Sequence, residues 1–415
     1  MFEEGVRFVK GLVTWRLNRL NTFYLRAWWG AHGTFLLRAA IDLMAIAALF
    51  WLGYQVWRLL GDPSPMGAID LKQRYGEVQF WFNGKPVYGI VKTATYPPAT
   101  YALLWPFLGW LTITQTRWLW AATTMLALGW LIRLFLKESF AKTNLERIFV
   151  ALIPLSIYGT GATIGNGQLM VHLLPCLVAA LLLFARGKGL WRYDLLASCF
   201  LIFALAKPSV SAAFFWIVLF YRHRLRPALL VVCGYVGLTL LAGAFQELNL
   251  FELIHRWIIC SREALAFSAV KFSNSNLHSW SAYFGLEEWY PVGSLLILIA
   301  LGVWTYFYRK ADLWLLIGVT ALVARFYTYH GWYDDVLVTL PVITLFRIAK
   351  SGKLKEKYNL AAGLLLSMTL LFLVAPGGLY LFPSPWNLLY VQAQTFIWMT
   401  VLIFLLFYAR QEKKG

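Results

Sequence analysis

The first long polar segment of the chain, residues 61–98, carries three carboxylates that could take part in chemistry: Asp62, Asp70 and Glu77. Asp70 differs from Asp62 because aromatic side chains follow it between residues 75 and 82, and such rings favour a membrane–water interface. A carboxylate held there, partly removed from water, could accept a proton from a hydroxyl nucleophile. The alternative for each acid taken alone is a solvated loop residue. Asp70 is the candidate general base.

A lysine and a glutamine lie where apolar runs are interrupted. Lys207 falls inside the stretch 194–220, which basic loops flank at both ends, so the chain must turn back near this residue. A charge within a membrane segment is a functional-site candidate, and an ammonium suits a phosphate, although the side chain could also extend to the surface. Asn166 and Gln168 each follow a glycine between two apolar runs. A tight turn explains the glycines but not Gln168, which would open a helix facing a polar cavity.

Two more polar clusters lie farther along the chain. The first, an Asn/Ser-rich stretch with Asn274 and Asn276, could hold a sugar or a pyrophosphate, or could equally cap the next helix. The second runs from Arg325 past His330 to two consecutive aspartates. One histidine and two acids are a weak metal signal, so a divalent metal is conceivable but not indicated.

The composition indicates a membrane protein. Of the 415 residues, 60% are apolar and only 13% are charged, whereas about 25% are charged in a typical soluble domain. A soluble globule has too few interior positions for that apolar excess. The net charge of +18 does not indicate a nucleic-acid partner, because the basic residues lie in short loops between apolar runs. The four cysteines form no CxxC pair, so they indicate neither a metal site nor a disulfide framework.

Apolar stretches along the chain predict transmembrane helices, which need about 20 residues each, or fewer where partner helices shorten the path. The candidates are 38–60, 117–136, 148–165, 168–185, 194–207, 209–220, 228–245, 291–307, 312–328, 335–348, 359–375 and 387–408. The predicted fold class is therefore all-α, a polytopic bundle of about 12 transmembrane helices.

The distribution of Lys and Arg predicts which loops share a side of the membrane. With the N-terminus inside, 24 of the 37 basic residues fall in the head and in six further inside segments, 137–147, 186–193, 221–227, 308–311, 347–358 and the tail. The outer segments 61–98 and 246–290 have nearly the same total length but hold only seven. All of the polar candidates then lie towards the outer, non-cytoplasmic side.

This alternation holds only if the apolar residues 99–115 do not cross the membrane. Pro97 and Pro98 open the run and Pro106 interrupts it, and proline is favoured in the first turn of a helix but breaks its interior. We therefore predict an interfacial or re-entrant helix over 97–115 on the outer side, with an ordinary span as the alternative.

Taken in order, these motifs resemble the polyprenol-phosphate-mannose-dependent mannosyltransferases of glycosyltransferase family 87, which have the GT-C architecture. Each motif is short, and their order and common side carry the resemblance over roughly residues 38 to 335. The matching positions are Asp70, Gly84-Lys85-Pro86-Val87-Tyr88, Tyr96-Pro97-Pro98, Gly165-Asn166-Gly167-Gln168, Ala206-Lys207-Pro208 and the loop 274–277. The chain departs from the family in that loop, which reads Asn-Ser-Asn-Leu where Asn-Gln-Ser-Leu is the expected pattern.

The resemblance implies a GT-C glycosyltransferase that moves a sugar, first of all mannose, from a polyprenyl-phosphate donor to a hydroxyl of a glycan or glycolipid acceptor. It implies Asp70 as the catalytic carboxylate, with Lys207 and either Arg325 or Arg262 near the donor phosphate. The further candidates for binding donor or substrate are Tyr96, Asn166, Gln168, Asn274, Asn276 and His330. No cofactor is implied. The partners are the lipid-linked sugar, the acceptor and membrane lipids, but not nucleic acid, and the implied place is a bacterial inner membrane with the site facing the periplasm or exterior.

The predicted organisation has a cytoplasmic basic head at 1–37, a GT-C-like catalytic module at 38–350 with outer loops 61–116 and 246–290, and C-terminal helices with a cytoplasmic tail at 351–415. The sequence leaves two alternative functions open. A transporter or flippase of lipid-linked sugars would use the same intramembrane charge and broken helices, although no inverted repeat is visible. A GT-C relative that transfers a different sugar is the second alternative, because a few hydroxyl contacts in the pocket decide which sugar is chosen.

Overall fold

The computed structural model describes residues 32–187, 189–221, 225–271, 276–352 and 354–413, and this part of the chain is helical without a β-strand. The predicted all-α class is confirmed there. The helices are α1 (His32–Leu60), α2 (Ile69–Phe82), α3 (Pro98–Leu108), α4 (Ile113–Glu138), α5 (Asn144–Ser156), α6 (Tyr158–Asn166), α7 (Met170–Arg186), α8 (Trp191–Ala204), α9 (Pro208–Ser211), α10 (Phe215–Phe220), α11 (Leu225–Gly243), α12 (Leu250–Lys271), α13 (Leu277–Tyr283), α14 (Tyr290–Phe307), α15 (Leu313–Phe326), α16 (Thr339–Ser351), α17 (Glu356–Leu373) and α18 (Trp386–Glu412).

Five of the described helices are long and apolar enough to cross a membrane: α1, α4, α11, α14 and α18. The pair α6 and α7 makes a sixth candidate, bent by 117° at the break between its two helices. The predicted count of about 12 is therefore not confirmed. Several predicted spans are short helices: α8 and α15 have 14 residues each, about 21 Å at 1.5 Å per residue, against a hydrocarbon core of about 30 Å.

The segment predicted to lie at the interface divides into α3 and the first turn of α4. α3 has 11 residues and is thus about 16 Å long, too short to cross a bilayer by itself. Pro98 occupies its first position, where a missing N–H costs nothing. The chain then restarts at a capping box in which Thr112 and Gln115 satisfy each other's backbone N–H groups. The predicted range 97–115 was therefore too long at its end, because this cap begins α4 within it.

α2 and α3 pack together as a cap on one end of the bundle, which we call the site end. The ring of Trp81 on α2 stacks on that of Tyr101 on α3, with 4.4 Å between centroids. The Trp81 indole N–H also donates to the carbonyl of Ala242 in α11 at 2.9 Å. A buried indole needs such a partner, so this bond fixes the cap to a membrane-length helix.

The opposite end, which we call the basic end, collects the loops that the charge pattern assigned to the inside. A cavity of about 430 Å³ lies there, and Arg186 and Arg347 line it together with acids and residues from the other predicted inside segments. Arg186 pairs with Glu138 at 2.7 Å, and Arg347 pairs with Asp312 at 3.3 Å. Loops that are far apart in the chain thus lie together at one end of the bundle, as the distribution of Lys and Arg predicts.

Cysteine labelling is expected to show which end faces the cytoplasm. In a variant whose four native cysteines are replaced by alanine, Lys142→Cys at the basic end should be protected from an impermeant reagent added outside intact cells. Lys85→Cys, an exposed position in the segment before α3, is the matched control and should react. Both lysines are exposed, so access rather than burial decides the result. Labelling at position 142 with protection at position 85 would reverse the predicted orientation.

Candidate functional site

α2 begins in a strained turn that is tied to the turn at 165–168. Ala68, buried just before α2, has φ 51° and ψ 38°, a left-handed conformation that costs a non-glycine residue roughly 1–2 kcal/mol. Its N–H donates to the carbonyl of Gly165 at 3.1 Å. Gly167 has φ +71°, and a Cβ there would lie 2.5 Å from a side-chain carbon of α2. The two glycines therefore allow the close approach that places Asp70 in the first turn of α2.

The carboxyl of Asp70 faces Gln168 and two cations. The positive charge of Arg74, the polar side chain of Gln168 and the positive charge of Lys207 all act on it to lower its pKa. Burial is the largest effect and raises the pKa of Asp70 above its usual 3.8, against the cations that lower it. Since a carboxylate with a raised pKa binds a proton more strongly, Asp70 is better suited to general-base work than an exposed aspartate.

Lys207 lies in the break between α8 and α9, because the residue before a proline is disfavoured in a helix. Its backbone has φ −125° and ψ 83°. Hydroxyl groups satisfy the carbonyls that the break leaves open: Thr100 donates to Ala206 and Ser211 donates to Ala204, both at 2.8 Å. Non-helical backbone at membrane depth requires such partners, so the break is a built feature of the interior.

The ammonium of Lys207 is held by an acid. Its Nζ donates to Oδ1 of Asp334 at 2.5 Å, and both side chains are buried. The other oxygen, Oδ2, lies 3.1 Å from Nδ1 of His330 and accepts from the N–H of Gly331 at 3.3 Å. Although burial alone would raise it, Lys207 and His330 hold the pKa of Asp334 below its usual range. Lys207 also lies 5.1 Å from the ring centre of Tyr333, so the cation is fixed on two sides.

A second shielded cation lies one helical turn after Asp70. Arg74, with a side chain 11% exposed, forms an ion pair with Glu77 on the same helix. Its guanidinium lies over the ring of Tyr96, 4.5 Å from the centroid. The charges of Lys207, Arg74 and Asp70 all act on the Tyr96 hydroxyl. Tyr96 therefore lies among the candidate base and the two cations.

Arg325 belongs to a neighbouring buried network. Its Nε donates to Oδ1 of Asp335 at 2.6 Å, and its guanidinium lies 5.3 Å from the ring centre of Trp398. The Tyr158 hydroxyl also donates to Asp335 and accepts from the Gln394 amide at 2.7 Å. This network joins α15 to α18. These contacts of Arg325 are with protein groups, so its predicted role near the donor phosphate stays a prediction.

Asn166 and Asn276 make contacts that position other parts of the site. Asn166 accepts through Oδ1 from the guanidinium of Arg58 at 3.2 Å, which ties the turn after α6 to the end of α1. Asn276 caps α13 with its Oδ1 and donates through Nδ2 to the carbonyl of His330 at 3.2 Å. Both asparagines are buried. Their observed partners are protein groups, so their predicted role in substrate binding stays a prediction.

The remaining predicted residues lie apart or are not described. Arg262 is exposed on α12. Asn274 lies outside the described residues, which resume at Asn276. No group of three or more His, Cys, Asp or Glu side chains within the described ranges could hold a metal ion. The predicted residues that the structure joins through one network are Asp70, Tyr96, Gln168, Lys207 and His330.

Sequence reasoning missed Arg74 and the role of Asp334. The segment after Asp70 was interpreted as an interfacial loop, whereas it is the helix α2, with Asp70 and Arg74 four residues apart on one face. The buried apolar residues of that helix recur at helical spacing, at Leu71, Val78 and Trp81, and this pattern could have revealed it. No local signal connects Asp334 to a lysine 127 residues earlier.

Comparison with known families supplies an independent observation. The model of Glycosyltransferase family 87 matches residues 94–339, more than half of the chain. The matched part includes Tyr96, Gln168, Lys207 and Asp334, but it begins after α2 and therefore does not include Asp70 or Arg74. No curated protein and no solved structure matches the chain.

Proposed function

The chain belongs to glycosyltransferase family 87, and we propose that it transfers mannose from a polyprenyl-phosphate donor to an acceptor hydroxyl, with Asp70 as the general base. Membership of this family indicates a membrane glycosyltransferase, which uses a sugar donor and an acceptor and is surrounded by membrane lipids. The observation that carries the proposal is the position of Asp70: a shielded carboxylate of raised pKa beside two cations, at the end of a bundle of membrane-length helices. A lipid-linked donor can reach such a site from the bilayer.

The proposed reaction is a single displacement at the anomeric carbon. Asp70 removes the proton of the acceptor hydroxyl, and that oxygen bonds to the anomeric carbon as the bond from this carbon to the phosphate oxygen breaks. Polyprenyl phosphate leaves with the electron pair of that bond, and the configuration at the anomeric carbon inverts. Lys207 offsets the negative charge that grows on the leaving phosphate, and Asp334 keeps this cation in place.

Sidedness and sugar choice complete the proposal. The proposed site faces the non-cytoplasmic side of a bacterial inner membrane. The basic residues gathered at the other end of the bundle support this side through the positive-inside tendency, and the family resemblance supports the bacterial membrane. The same resemblance supports mannose as the sugar. A different sugar on the same lipid carrier is the alternative, because a few hydroxyl contacts in a pocket decide between hexoses.

Transfer from a set of labelled donors tests this proposal. Membranes that contain the wild-type protein are incubated with polyprenyl-phosphate mannose, with the glucose and arabinose analogues, and with a nucleotide-linked mannose, each with the endogenous acceptors. We expect label to move only from the polyprenyl-phosphate donors, with mannose fastest. Membranes without the protein are the control. Transfer from the nucleotide-linked sugar alone would refute the lipid donor, and transfer from another lipid-linked sugar alone would refute mannose.

A further inference from the structure

The cation best placed to bind the donor phosphate directly is Arg74, a residue that the sequence motifs did not single out. We propose that the guanidinium of Arg74 binds the non-bridging oxygens of the donor phosphate and keeps them bound as polyprenyl phosphate leaves. This inference rests on the proposed function. It adds a catalytic residue from outside the part of the chain that matches the family model.

The first argument is the geometry of α2. Asp70 and Arg74 lie four residues apart on this helix, so they share one face within a single rigid element. A base on the acceptor oxygen and a cation on the leaving phosphate must act on opposite sides of the same anomeric carbon. Placing both on one helix fixes their separation without depending on the mutual packing of distant helices. The negative charge of Asp70 also acts on Arg74, which agrees with their proximity.

The second argument is the way Glu77 holds one arm of the guanidinium. Glu77 is buried, and it accepts from Gln73 at 3.0 Å and from the Tyr101 hydroxyl at 3.3 Å, besides its ion pair with Arg74. Its oxygens are therefore satisfied by several donors, which is what a buried carboxylate requires. Glu77 is thus a fixed anchor for Nη1 of Arg74.

The other edge of the guanidinium is left for a ligand. Within the described residues, Nε and Nη2 of Arg74 have no hydrogen-bond partner, and Nη1 donates only to Glu77. The guanidinium carbon lies over the ring of Tyr96, so this ring is a second contact of the group besides Glu77. A planar fork with a free edge matches two oxygens of one phosphate.

Lys207 is a less suitable direct ligand, although it remains part of the electrostatic environment. Its ammonium is a point charge, and Asp334 already accepts from it at 2.5 Å. The donor phosphate is a diester with one negative charge, and it leaves as a monoester that carries a second. A cation in direct contact therefore binds the departing group more strongly than the donor, which is the condition for catalysis.

Binding of the product tests the inference separately from turnover. The dissociation constants of a short-chain polyprenyl phosphate and of the matching uncharged polyprenol are measured for the purified protein in nanodiscs. Arg74→Gln is expected to weaken binding of the phosphate at least 10-fold and to leave binding of the polyprenol unchanged. Arg74→Lys should recover part of the loss. Lys72→Gln is the matched control, because Lys72 is on the same helix and donates to the carbonyl of Ser64 at 2.8 Å.

Removing Arg74 leaves Glu77 buried with fewer donors, so a second variant separates loss of folding from loss of binding. In Arg74→Gln/Glu77→Gln no orphan acid remains, and thermal unfolding should return towards that of the wild type. We expect phosphate binding to stay weak in this double variant and to persist in Glu77→Gln alone. The inference would be overturned if Arg74→Gln and Arg74→Gln/Glu77→Gln both bound the phosphate with wild-type affinity.

The same experiments separate this inference from the proposed function. If polyprenyl phosphate binds in an Arg74-dependent way but no polyprenyl-phosphate sugar is consumed by the wild type, the proposed donor fails and the anion site stands. If the wild type transfers mannose and Arg74→Gln retains both turnover and phosphate affinity, the proposed function stands and the role of Arg74 fails.

Discussion

Asp70→Asn is expected to lower the rate of sugar transfer by roughly 10²- to 10⁴-fold, the usual contribution of a general base. Asparagine keeps the shape of the side chain, but it cannot take a proton. Because burial already disfavours the charged form of Asp70, loss of the charge should not destabilise the fold. The measurement is the transfer rate from the accepted donor, together with thermal unfolding of the purified variant.

The transfer rate of the wild-type protein should depend on pH as expected for a general base. A general base works only when it is ionised, so the rate falls as the pH drops through the pKa of Asp70. Since burial raises that pKa above 3.8, the acid limb is expected at a higher pH than for an exposed aspartate. Residual turnover by Asp70→Asn should lack this limb.

Asp62→Asn is the matched control for the base. Asp62 precedes Asp70 by eight residues, and its Oδ1 accepts from the N–H of Ser64 at 2.9 Å, a bond that an asparagine oxygen can also form. We expect this variant to turn over at close to the wild-type rate. If Asp70→Asn transferred sugar at the wild-type rate, Asp70 would not be the general base. An equal loss of transfer rate in Asp70→Asn and Asp62→Asn would indicate a disturbed segment 61–82 rather than a missing base.

Lys207→Met is expected to destabilise the protein by about 3–5 kcal/mol and to abolish transfer, since it leaves Asp334 as an uncompensated buried charge. If Lys207 served only the donor phosphate, its loss would affect donor binding more than folding. The buried ion pair changes that expectation. The change in stability is measured by unfolding the purified protein with heat or denaturant in a mild detergent.

A double variant separates the two roles of Lys207. In Lys207→Met/Asp334→Asn both charges are gone, and the asparagine oxygen can still accept from Gly331. We expect most of the lost stability to return, because replacing a buried ion pair by neutral groups is often close to neutral. Activity should stay low, since the cation near the leaving phosphate is still missing.

Lys92→Met is the control for the loss of a positive charge at the site end. Lys92 is exposed, and surface substitutions usually change stability by less than about 0.5 kcal/mol. If Lys207→Met were as stable as Lys92→Met, the ion pair would not contribute to folding. Full activity of the double variant would exclude any electrostatic role for Lys207 in transfer.

Local sequence patterns predicted the breaks that shape the site. Proline after Lys207 ends α8, prolines at 97 and 98 open α3, and the glycines at 165 and 167 permit the turn that supports α2. Each of these effects depends on the backbone of one or two residues and therefore needs no knowledge of distant contacts. The twelve predicted spans were less secure, because hydropathy cannot distinguish a full span from a short helix buried among others.

The sequence by itself determined the class of protein and the sorting of its loops into two ends, since both follow from how many apolar residues and charges lie in each stretch. Only the tertiary structure decided which acid holds which cation: Asp334 pairs with Lys207 across 127 residues, and Asp335 pairs with Arg325. It also placed Arg74 beside Asp70, within a segment interpreted as a loop. The physical reason is that an ion pair forms within a few ångströms, and helix packing rather than local composition decides which charges approach that closely.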